Sequence, residues 1–409
     1  MAKDDRFLEE GKWWVSPYNF LSEVRSEFHL PERVEIHDAT LRDGEQTPGV
    51  VFRKEDKVRI AQMLDEVGIE RIEAGMPAVS DEDFQAIKEI TSLGLKAKIY
   101  TFARALTEDI DKAVECGADG VVIEIPIGYP KLKYQFGWTW EDVLRKSADC
   151  IAYAKKRNLY TVYFPYDTTR AREEDLTNLL KGVMLNAPPD SIGIVDTMGC
   201  ALPQAIQYMV RSVKKLTGLP VEIHTHNDFG MGVATELAAV IAGAEVVHSC
   251  VNGLGERTGN AALEELMVGL HILLGMETQY NFGKIKDLSN LVGKFSRVQP
   301  PVNKPVVGES NYTRESGIGI DLVLKNPLAM FATNPQFFGR EGKIVLGKKS
   351  GKASVKYTLE RLGIHDMDDD SINAILKEVK AKGTENRALL SEMDFMEIVR
   401  SRKKRGKII

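Results

Sequence analysis

The sequence lacks the features that mark secreted, membrane-bound and nucleic-acid-binding proteins. It contains no apolar run near the roughly 20 residues that a membrane span needs, and its N-terminus, MAKDDRFLEEGKWW, has no apolar signal core. Its four cysteines stand singly, without CxxC spacing, so we expect free, buried thiols. A net charge of -5 gives no general attraction to nucleic acid or to an anionic membrane. We therefore expect a cytoplasmic protein that binds neither.

Strand-like and helix-like segments alternate through most of the chain. Between about residues 30 and 275, short β-branched runs are separated by segments of helical period. Eight strands, each followed by a helix, within about 250 residues predict a (β/α)8 barrel, the TIM barrel fold. The predicted strands are RVEIH at 33, RIEAG at 71, KAKIYTF at 96, GVVIEI at 120, YTVYF at 160, SIGIVD at 191, PVEIHTH at 220 and EVVHSCV at 245.

The remaining sequence predicts an N-terminal extension and a second unit. Residues 1–30 precede the barrel at 31–295, and SRVQPPVNKPVVG contains three prolines that cannot continue a helix. Residues 296–308 are therefore predicted to be a linker to a C-terminal α/β subdomain, 309–409. A helix is expected there after Ser371. The basic end SRKKRGKII is interpreted as a solvated tail, with a phosphate or CoA contact as the alternative.

The seventh predicted strand carries two histidines on one face. In VEIHTH, the strand period of two sends Glu222, His224 and His226 to the same side. Two imidazoles at the C-terminal end of a barrel strand predict a metal pair. Asp43, which follows the first strand, is the natural third ligand, although it could instead cap the turn. Such a set leaves coordination positions open for a chelating substrate and suits Mg2+, Mn2+, Zn2+ or Fe2+.

Several long motifs resemble one enzyme superfamily. In order, they are DATLRDGEQTPGV, IEAGMPAVS, VDTMGCALP, HTHNDFGMGVA and VNGLGERTGNAALEEL. They are similar to the metal-dependent acyltransferases and lyases that include 2-isopropylmalate, homocitrate, citramalate and Re-type citrate synthases and hydroxymethylglutaryl-CoA lyase. The resemblance covers the whole barrel. It implies that Arg42 stabilises the substrate oxygen as negative charge develops, and that a divalent metal is held by Asp43, His224, His226 and Asn260.

The same resemblance suggests which residues meet the substrates. Gln46 and Glu73 are expected to line the site, and Thr197 is expected to meet the substrate carboxylate. Each of the three could instead belong to polar packing inside the barrel. Two glycines of the loop GLGERTG, Gly253 and Gly255, are expected to approach the acyl-CoA, because glycine lets backbone N–H groups come close to an anion.

The loop after the eighth strand favours a synthase. Hydroxymethylglutaryl-CoA lyases carry a catalytic Cys in this loop, whereas VNGLGERTGN has Glu256 and no Cys, and Cys250 lies upstream. The resemblance implies a Claisen condensation of an acyl-CoA, expected to be acetyl-CoA, with a 2-oxo acid, in a homodimer. The identity of the 2-oxo acid is left open. Arg170 or Arg172 could bind a second carboxylate, or both could be solvated.

The second unit departs from the synthase pattern at two positions. A segment resembling SGIHxDxxLKN reads SGIGIDLVLKN, with Gly319 in place of the His assigned to proton transfer, and GKHSG reads GKKSG. Glycine cannot move a proton, so another group is expected to serve as the base. Two alternatives are a changed chemistry, such as an aldolase or lyase reaction, and an inactive paralogue with a regulatory role. The candidate bases are Glu256, Tyr312, Glu315 and Lys349.

Overall fold

The computed structural model describes residues 5–406, with side chains as far as Arg402. The chain divides into two compact units. One is Tyr18–Pro300, and the other combines the segment up to Pro17 with the chain from Pro301 onward. None of the described helices is long and apolar enough to cross a membrane. The predicted solvated tail lies partly outside the described residues, beyond a helix that continues to Gly406.

The unit Tyr18–Pro300 is a closed barrel of eight parallel strands. Each strand pairs with the next one along the chain, and the eighth closes on the first. All eight predicted strands are confirmed, with ends that differ by a few residues. The strands are β1 (Glu35–Asp38), β2 (Arg71–Glu73), β3 (Lys98–Arg104), β4 (Gly120–Pro126), β5 (Tyr160–Tyr166), β6 (Ser191–Asp196), β7 (Val221–Thr225) and β8 (Val246–Ser249).

A helix follows each strand, as the alternation predicts. The first of these helices buries Ile60, Ala61, Leu64 and Val67 and ends at Gly68, whose φ of 96° is the left-handed conformation that glycine adopts easily. Shorter helices cover Ser22–Arg25 and Tyr129–Lys131. The helices are α1 (Lys54–Val67), α2 (Asp81–Ser92), α3 (Thr107–Glu115), α4 (Trp140–Lys156), α5 (Glu173–Asn186), α6 (Pro203–Thr217), α7 (Gly232–Ile241), α8 (Leu263–Val268) and α9 (Ile285–Ser296).

The barrel interior is apolar on one side and charged on the other. Successive strand residues alternate between faces, so every second side chain points into the barrel. Strands β3 to β6 fill one side with the buried residues Tyr100, Phe102, Val122, Val162, Phe164 and Val195. Strands β1, β2, β7 and β8 contribute the buried ionisable residues His37, Arg71, Glu73, Glu222, His224 and His248.

A glycine on β6 makes room for an aromatic ring on β5. A Cβ added to Gly193 would lie 2.3 Å from a ring carbon of Phe164, closer than real Cβ contacts. The Phe164 ring in turn contacts His224 and His248, with ring centroids 5.6 Å and 5.4 Å away. Phe164 therefore carries the apolar packing across to the buried histidines.

Gly193→Ala should destabilise the barrel by about 1–3 kcal/mol, because the added methyl group overpacks the interior against Phe164. Urea denaturation followed by circular dichroism would show the change as a lower midpoint. Gly283→Ala is the matched control, since its Cβ would meet only the Asn281 Oδ1, at an ordinary 3.5 Å. Equal midpoints for the two variants would contradict the argument.

The second unit is mainly helical. Its strands are only two residues long, with Thr313–Arg314 parallel to Lys343–Ile344 and Leu8–Glu9 antiparallel to Trp13–Trp14. The C-terminal subdomain that the sequence predicts is therefore present, with helices as its main elements and only short strands. Its helices are α10 (Ile320–Lys325), α11 (Lys352–Arg361), α12 (Asp369–Asn386) and α13 (Glu392–Gly406). They bury Leu346, Val355, Leu359, Ile372, Ile375, Val379, Phe395, Ile398 and Val399.

The helix expected after Ser371 begins two residues earlier. Its N-cap is Asp368, whose side chain accepts a hydrogen bond from the backbone N–H of Ser371 at 2.8 Å. Ser371 is therefore inside the first turn and is not the cap, because the aspartate three residues before it takes that role.

The two segments that lack the expected histidines pack against each other. The backbone N–H of Gly317 donates to the carbonyl of Lys349 at 3.1 Å, and a Cβ on Gly317 would lie 2.3 Å from the Cα of Gly351. Gly319 has a φ of +81°, and its Cβ would meet the Met330 side chain at 2.9 Å. A histidine at 319 would need a strained left-handed backbone and a displaced Met330.

Candidate metal centre

Asp43, His224 and His226 meet at the C-terminal ends of β1 and β7. Their candidate ligand atoms all lie within 4.8 Å of one another. Asp43 Oδ2 is 3.1 Å from Nε2 of His224 and 3.6 Å from Nε2 of His226, and all three residues are buried. The structure therefore brings together the three residues that the strand pattern predicted as ligands.

Local hydrogen bonds turn the chain after β1 so that Asp43 reaches this position. The backbone N–H of Thr40 donates to the Asp38 side chain, and the N–H groups of Arg42 and Gly44 both donate to the Ala39 carbonyl, each at 3.0 Å. These bonds form a tight turn directly at the strand end. The side chains that follow it therefore lie at the barrel mouth.

The charges around Asp43 keep its carboxyl ionised. Burial opposes ionisation, but Arg42 and the two histidines outweigh burial and hold the pKa of Asp43 well below its usual range. Burial lowers the pKa of His226 to about 4 and also lowers the pKa of His224. At neutral pH the site therefore offers a carboxylate and two neutral imidazoles, the protonation states that metal binding requires.

Buried polar atoms without partners support a metal at this position. The backbones of Asn260 and His226 pair as an isolated antiparallel β-bridge, and Nδ2 of Asn260 donates to the Leu254 carbonyl at 3.0 Å. Buried polar atoms are normally hydrogen-bonded, and nitrogen and oxygen donors of this kind fit a divalent cation. Within the described residues, Asp43 Oδ1 and Asn260 Oδ1 are buried oxygens without a hydrogen bond; Nδ1 of His224 and His226 also lacks one, although these rings approach Asp43 through Nε2.

Arg42 is fixed by three neighbours and keeps one free donor. Its Nε donates to Glu73 Oε1 at 2.9 Å, its Nη1 lies 3.3 Å from Asp43 Oδ2, and its guanidinium lies 4.6 Å from the centre of the Phe102 ring. Burial opposes ionisation of Glu73, but Arg42 and His37 lower its pKa to about 2. The buried Nη2 of Arg42 has no partner in the described chain. This N–H can therefore meet negative charge that develops on a substrate oxygen.

A second group of buried ligand-type residues consists of His37, Glu73 and His248. The two imidazoles are stacked, with centroids 4.3 Å apart and planes within 5°. Imidazole lone pairs lie in the ring plane, so two parallel rings do not point at one ion. His248 Nε2 instead contacts Glu222 at 3.0 Å, and Glu222 bonds Arg71 at 2.9 Å. We interpret this group as a buried ion network that supports Glu73.

Of three predicted substrate-binding residues, one is exposed and two are hydrogen-bonded to Asp167. Gln46 is exposed, and its side chain makes no hydrogen bond within residues 5–406. Thr197 Oγ1 accepts the backbone N–H of Asp167 at 2.8 Å. Arg170 donates two hydrogen bonds to the Asp167 carboxylate, at 2.7 Å and 2.8 Å. A second substrate carboxylate would have to compete with this ion pair, and the three substrate roles stay predictions.

The glycines of the loop after β8 are used in its own packing. The N–H of Gly253 donates to the Cys250 carbonyl at 3.0 Å, and the N–H of Gly255 donates to Thr47 Oγ1 at 2.8 Å. Neither backbone donor is free for an acyl-CoA anion. A Cβ on Gly255 would lie 2.2 Å from Nδ2 of Asn260, so this glycine allows the predicted ligand to pack closely. The contact of this loop with acyl-CoA stays a prediction.

Glu256 is exposed and paired with its neighbour. Its side chain is 57% exposed, and its carboxylate lies 2.9 Å from Nη1 of Arg257. Arg257 also bonds Asp228 at 3.0 Å and the carbonyl of Thr197, so it joins the loops after β6, β7 and β8. Arg257 was not among the predicted site residues, because the sequence shows it only as one charged residue in the segment GERTG. The proton-transfer role of Glu256 stays a prediction.

Glu124 on β4 is a second residue that was not predicted. The strand period places it on the same face as Val122, which packs inside the barrel. Burial raises the pKa of Glu124 to about 7, opposed by Arg42 and reinforced by the charges of Asp43 and Glu73. The carboxyl therefore lies within electrostatic reach of the metal centre. An acid at an inward position of the apolar run GVVIEI is the signal that could have found it.

The cysteines correct one expectation. All four are free, and Cys116, Cys150 and Cys250 are buried, but Cys200 is exposed. Cys200 follows the loop after β6, where the chain returns to the surface before α6.

Asp43→Asn should abolish the binding of Mn2+ as measured by isothermal titration calorimetry, because the variant keeps the side-chain size but removes the anionic ligand. His248→Gln, in the stacked pair, is the control and should keep one Mn2+ per chain. Loss of Mn2+ in the His248 variant together with retention in the Asp43 variant would place the ion in the other group.

Mn2+ affinity should change little between roughly pH 7.5 and pH 5.5. A histidine of ordinary pKa would be about 90% protonated at the lower pH, which costs about tenfold in affinity per ligand. His226, with its pKa lowered to about 4, stays neutral over this range, and burial also lowers the pKa of His224, so His224 is protonated less than an ordinary histidine. Calorimetry at the two pH values tests this, and a loss of about 100-fold would contradict it.

Comparisons with known proteins agree with the motifs. Residues 33–292 match the family model described as HMGL-like, and residues 306–387 match the one described as homocitrate synthase post-HMGL domain-like. Homocitrate synthase AksA of Methanothermobacter thermautotrophicus is 38% identical over 95% of this chain and 98% of its own length. The (R)-citramalate synthase CimA of Methanocaldococcus jannaschii is 39% identical over 90% of this chain and 74% of its own. The 2-isopropylmalate synthase of that organism is 40% identical over 87% of this chain and 69% of its own length.

Among solved structures, the HMG-CoA lyase of Bacillus subtilis superposes on this chain with a TM-score of 0.59. The superposition covers 66% of this chain and 96% of the lyase chain. At 18% identity, this similarity shows the barrel fold alone. The HMGL-like model spans more than half of the chain, and the relatives named above are at least 38% identical over most of it. The chain therefore belongs to the HMGL-like family.

Proposed function

We propose that the barrel catalyses a Claisen-type condensation of an acyl-CoA, expected to be acetyl-CoA, with a 2-oxo acid. Relatives at 38–40% identity are named homocitrate, citramalate and 2-isopropylmalate synthases, which supports this reaction class. The observation that carries the proposal is the buried group of Asp43, His224 and His226 beside Arg42, whose Nη2 has no partner in the described chain.

The donor set fits a divalent cation. Asp43, His224, His226 and Asn260 would hold it, and Mg2+, Mn2+ and Zn2+ all suit nitrogen and oxygen ligands of this kind. Once bound, the cation would act as a Lewis acid that polarises the 2-oxo group and offsets negative charge. Arg42, one residue before the carboxylate ligand, would bind the same oxygen from a second direction.

The reaction can be followed through its bonds. A base removes a proton from the acyl-CoA carbon next to the thioester, and that carbon bonds to the 2-oxo carbon. The 2-oxo oxygen gains negative charge, which Arg42 stabilises through Nη2 while Glu73 and Asp43 hold its other nitrogens. The oxygen then takes up a proton. Water finally cleaves the thioester to release CoA and a carboxylate, which makes the sequence irreversible.

Glu256 is the proposed base within the barrel unit. Its exposed carboxylate is accessible, and a carboxylate can accept a proton when it is placed beside the reacting carbon. Tyr312 is a weaker candidate, because burial raises its pKa and its hydroxyl is bonded to Thr333 at 2.7 Å. Glu315 is engaged by the backbone N–H of Lys349 at 3.0 Å.

A synthase fits the barrel better than the alternatives. The loop from residue 253 to residue 259 contains no Cys, and Cys250 is buried at the end of β8, where burial raises the pKa of its thiol. An inactive regulatory paralogue would have no use for a complete set of buried metal ligands. We also propose a cytoplasmic homodimer, on the basis of the family resemblance and the free cysteines.

Purified protein should release CoA thiol only when a metal, an acyl-CoA and a 2-oxo acid are all present. The screen combines Mg2+ or Mn2+ with acetyl-CoA or longer acyl-CoAs, and with glyoxylate, pyruvate, 2-oxoisovalerate, oxaloacetate or 2-oxoglutarate. Arg42→Lys should lower kcat by about 10²- to 10³-fold, since an ammonium cannot hold Glu73, Asp43 and the substrate oxygen together. The variant should still bind Mn2+.

Other outcomes of the screen would contradict the proposal in recognisable ways. Cleavage of a hydroxy acid without any need for CoA would identify an aldolase. Tight binding of 2-oxo acids and acyl-CoA without turnover would favour the regulatory alternative.

A further inference from the structure

Opposite the candidate metal centre, the barrel has an apolar wall that carries Glu124. The metal ligands come from the ends of β1 and β7 and from the loop after β8, whereas β4 lies three strands away from both β1 and β7. The inward residues Phe102, Phe164 and Val195 are buried on this side. Glu124 lies toward the mouth end of β4 and is the neighbour of Phe164 in the register of β4 with β5.

The Glu124 carboxyl has no protein partner in the described chain. Its side chain makes no hydrogen bond or ion pair within residues 5–406, and the residue is half-buried. Its oxygens are not among the fully buried unpartnered atoms of the described chain, so water or a bound molecule can reach them. A divalent cation at the metal centre would lower the pKa of Glu124 from its raised value of about 7 and so favour the ionised carboxylate.

Two of the three arginines at the strand ends on this side are ion-paired. Arg42 and Lys131, in the short helix after β4, are cations that lower the pKa of Glu124. Arg104 and Arg170 each bond an aspartate and are not free for a second substrate carboxylate. The arginines concerned are Arg104, which bonds Asp109 at 2.9 Å, Arg170, which bonds Asp167 at 2.7 Å, and Arg172, which lies 3.8 Å from the Tyr129 ring centre.

We propose that Glu124 determines the substrate class: the chain accepts 2-oxo monocarboxylic acids with an uncharged side chain and rejects 2-oxo dicarboxylic acids. The proposal rests on the proposed condensation, with the 2-oxo acid at the metal centre and its side chain directed toward β4. Phe102, Phe164 and Val195 provide apolar contact, and Glu124 accepts a hydrogen bond from a hydroxyl group on the substrate. A second carboxylate would instead meet a like charge in a buried site, which is strongly unfavourable.

The test compares two classes of 2-oxo acid on the metal-loaded, full-length protein with acetyl-CoA. We expect kcat/KM for 2-oxoisovalerate, pyruvate or hydroxypyruvate to exceed that for oxaloacetate and 2-oxoglutarate by at least about tenfold. Glu124→Gln keeps the side-chain size and removes the charge. It should reduce this preference by at least about tenfold, mainly by lowering KM for the dicarboxylic acids.

Glu115→Gln is the matched control. Glu115 is exposed at the end of α3, so this substitution removes the same charge from the same unit but away from the barrel interior. It should leave the ratio of kcat/KM values unchanged. Binding of each 2-oxo acid to the Mn2+-loaded variants, measured by calorimetry, gives a readout that does not depend on turnover.

The outcomes separate this proposal from the proposed reaction. A wild-type preference for oxaloacetate or 2-oxoglutarate, or an unchanged preference in Glu124→Gln, would overturn the role of Glu124 while CoA release upholds the reaction. If no pair of substrates releases CoA but Glu124→Gln binds dicarboxylic acids relatively more tightly than wild type, the reaction is wrong and the selectivity of the site stands.

Discussion

The buried carboxylate of Asp43 is the charge on which the barrel mouth depends. An ionised carboxylate in a protein interior is strongly disfavoured unless opposite charges or hydrogen-bond donors surround it. Here the guanidinium of Arg42 lies 3.3 Å away, and Nε2 of His224 lies 3.1 Å away. The same contacts that keep Asp43 ionised also orient Arg42, which explains why the proposed ligand and the proposed oxyanion-binding residue occur next to each other in the sequence. One turn thus positions both groups of the proposed site.

The number of buried charges explains why a cation belongs at this mouth. Inside the barrel, the guanidinium groups of Arg42 and Arg71 face three carboxyls of lowered pKa, those of Asp43, Glu73 and Glu222. Burial lowers the pKa of His224, His226 and His248, which leaves Arg42, Arg71 and His37 to offset those three carboxyls. No positive charge is left over for a substrate carboxylate, and a bound divalent cation would supply it. The apolar side formed by β3 to β6 cannot take this role, which fixes the metal on the side of β1 and β7.

Some features could be predicted from the sequence because they depend on local pattern. The others could not be predicted, because they depend on which strands become neighbours in the barrel. The β-branched runs identified all eight strands, and the period of two placed His224 and His226 together. Parallel strands bring their C-terminal ends to one face, which was enough to add Asp43. The contacts between Arg71, Glu222 and His248 join β2, β7 and β8, so they follow only from closure of the barrel. The environment of Glu124 likewise depends on residues from the opposite wall. Internal hydrogen bonds of Gly253 and Gly255 cannot be read from a glycine-rich sequence.

The missing histidines are better understood as a change in one structural unit than as two point differences. The segments that contain Gly319 and Lys349 are hydrogen-bonded through Gly317, and Gly319 itself adopts a left-handed conformation that a side chain would strain. The two positions therefore constrain each other through local packing. In contrast, the metal ligands and Arg42 are held by buried charges within the barrel unit, where each depends on the others. The charges that surround Asp43 lie at the strand ends, whereas Gly319 and Lys349 lie in the other unit, outside that set of charges. A departure from the synthase pattern at those two positions therefore leaves the proposed ligand set and Arg42 unaffected.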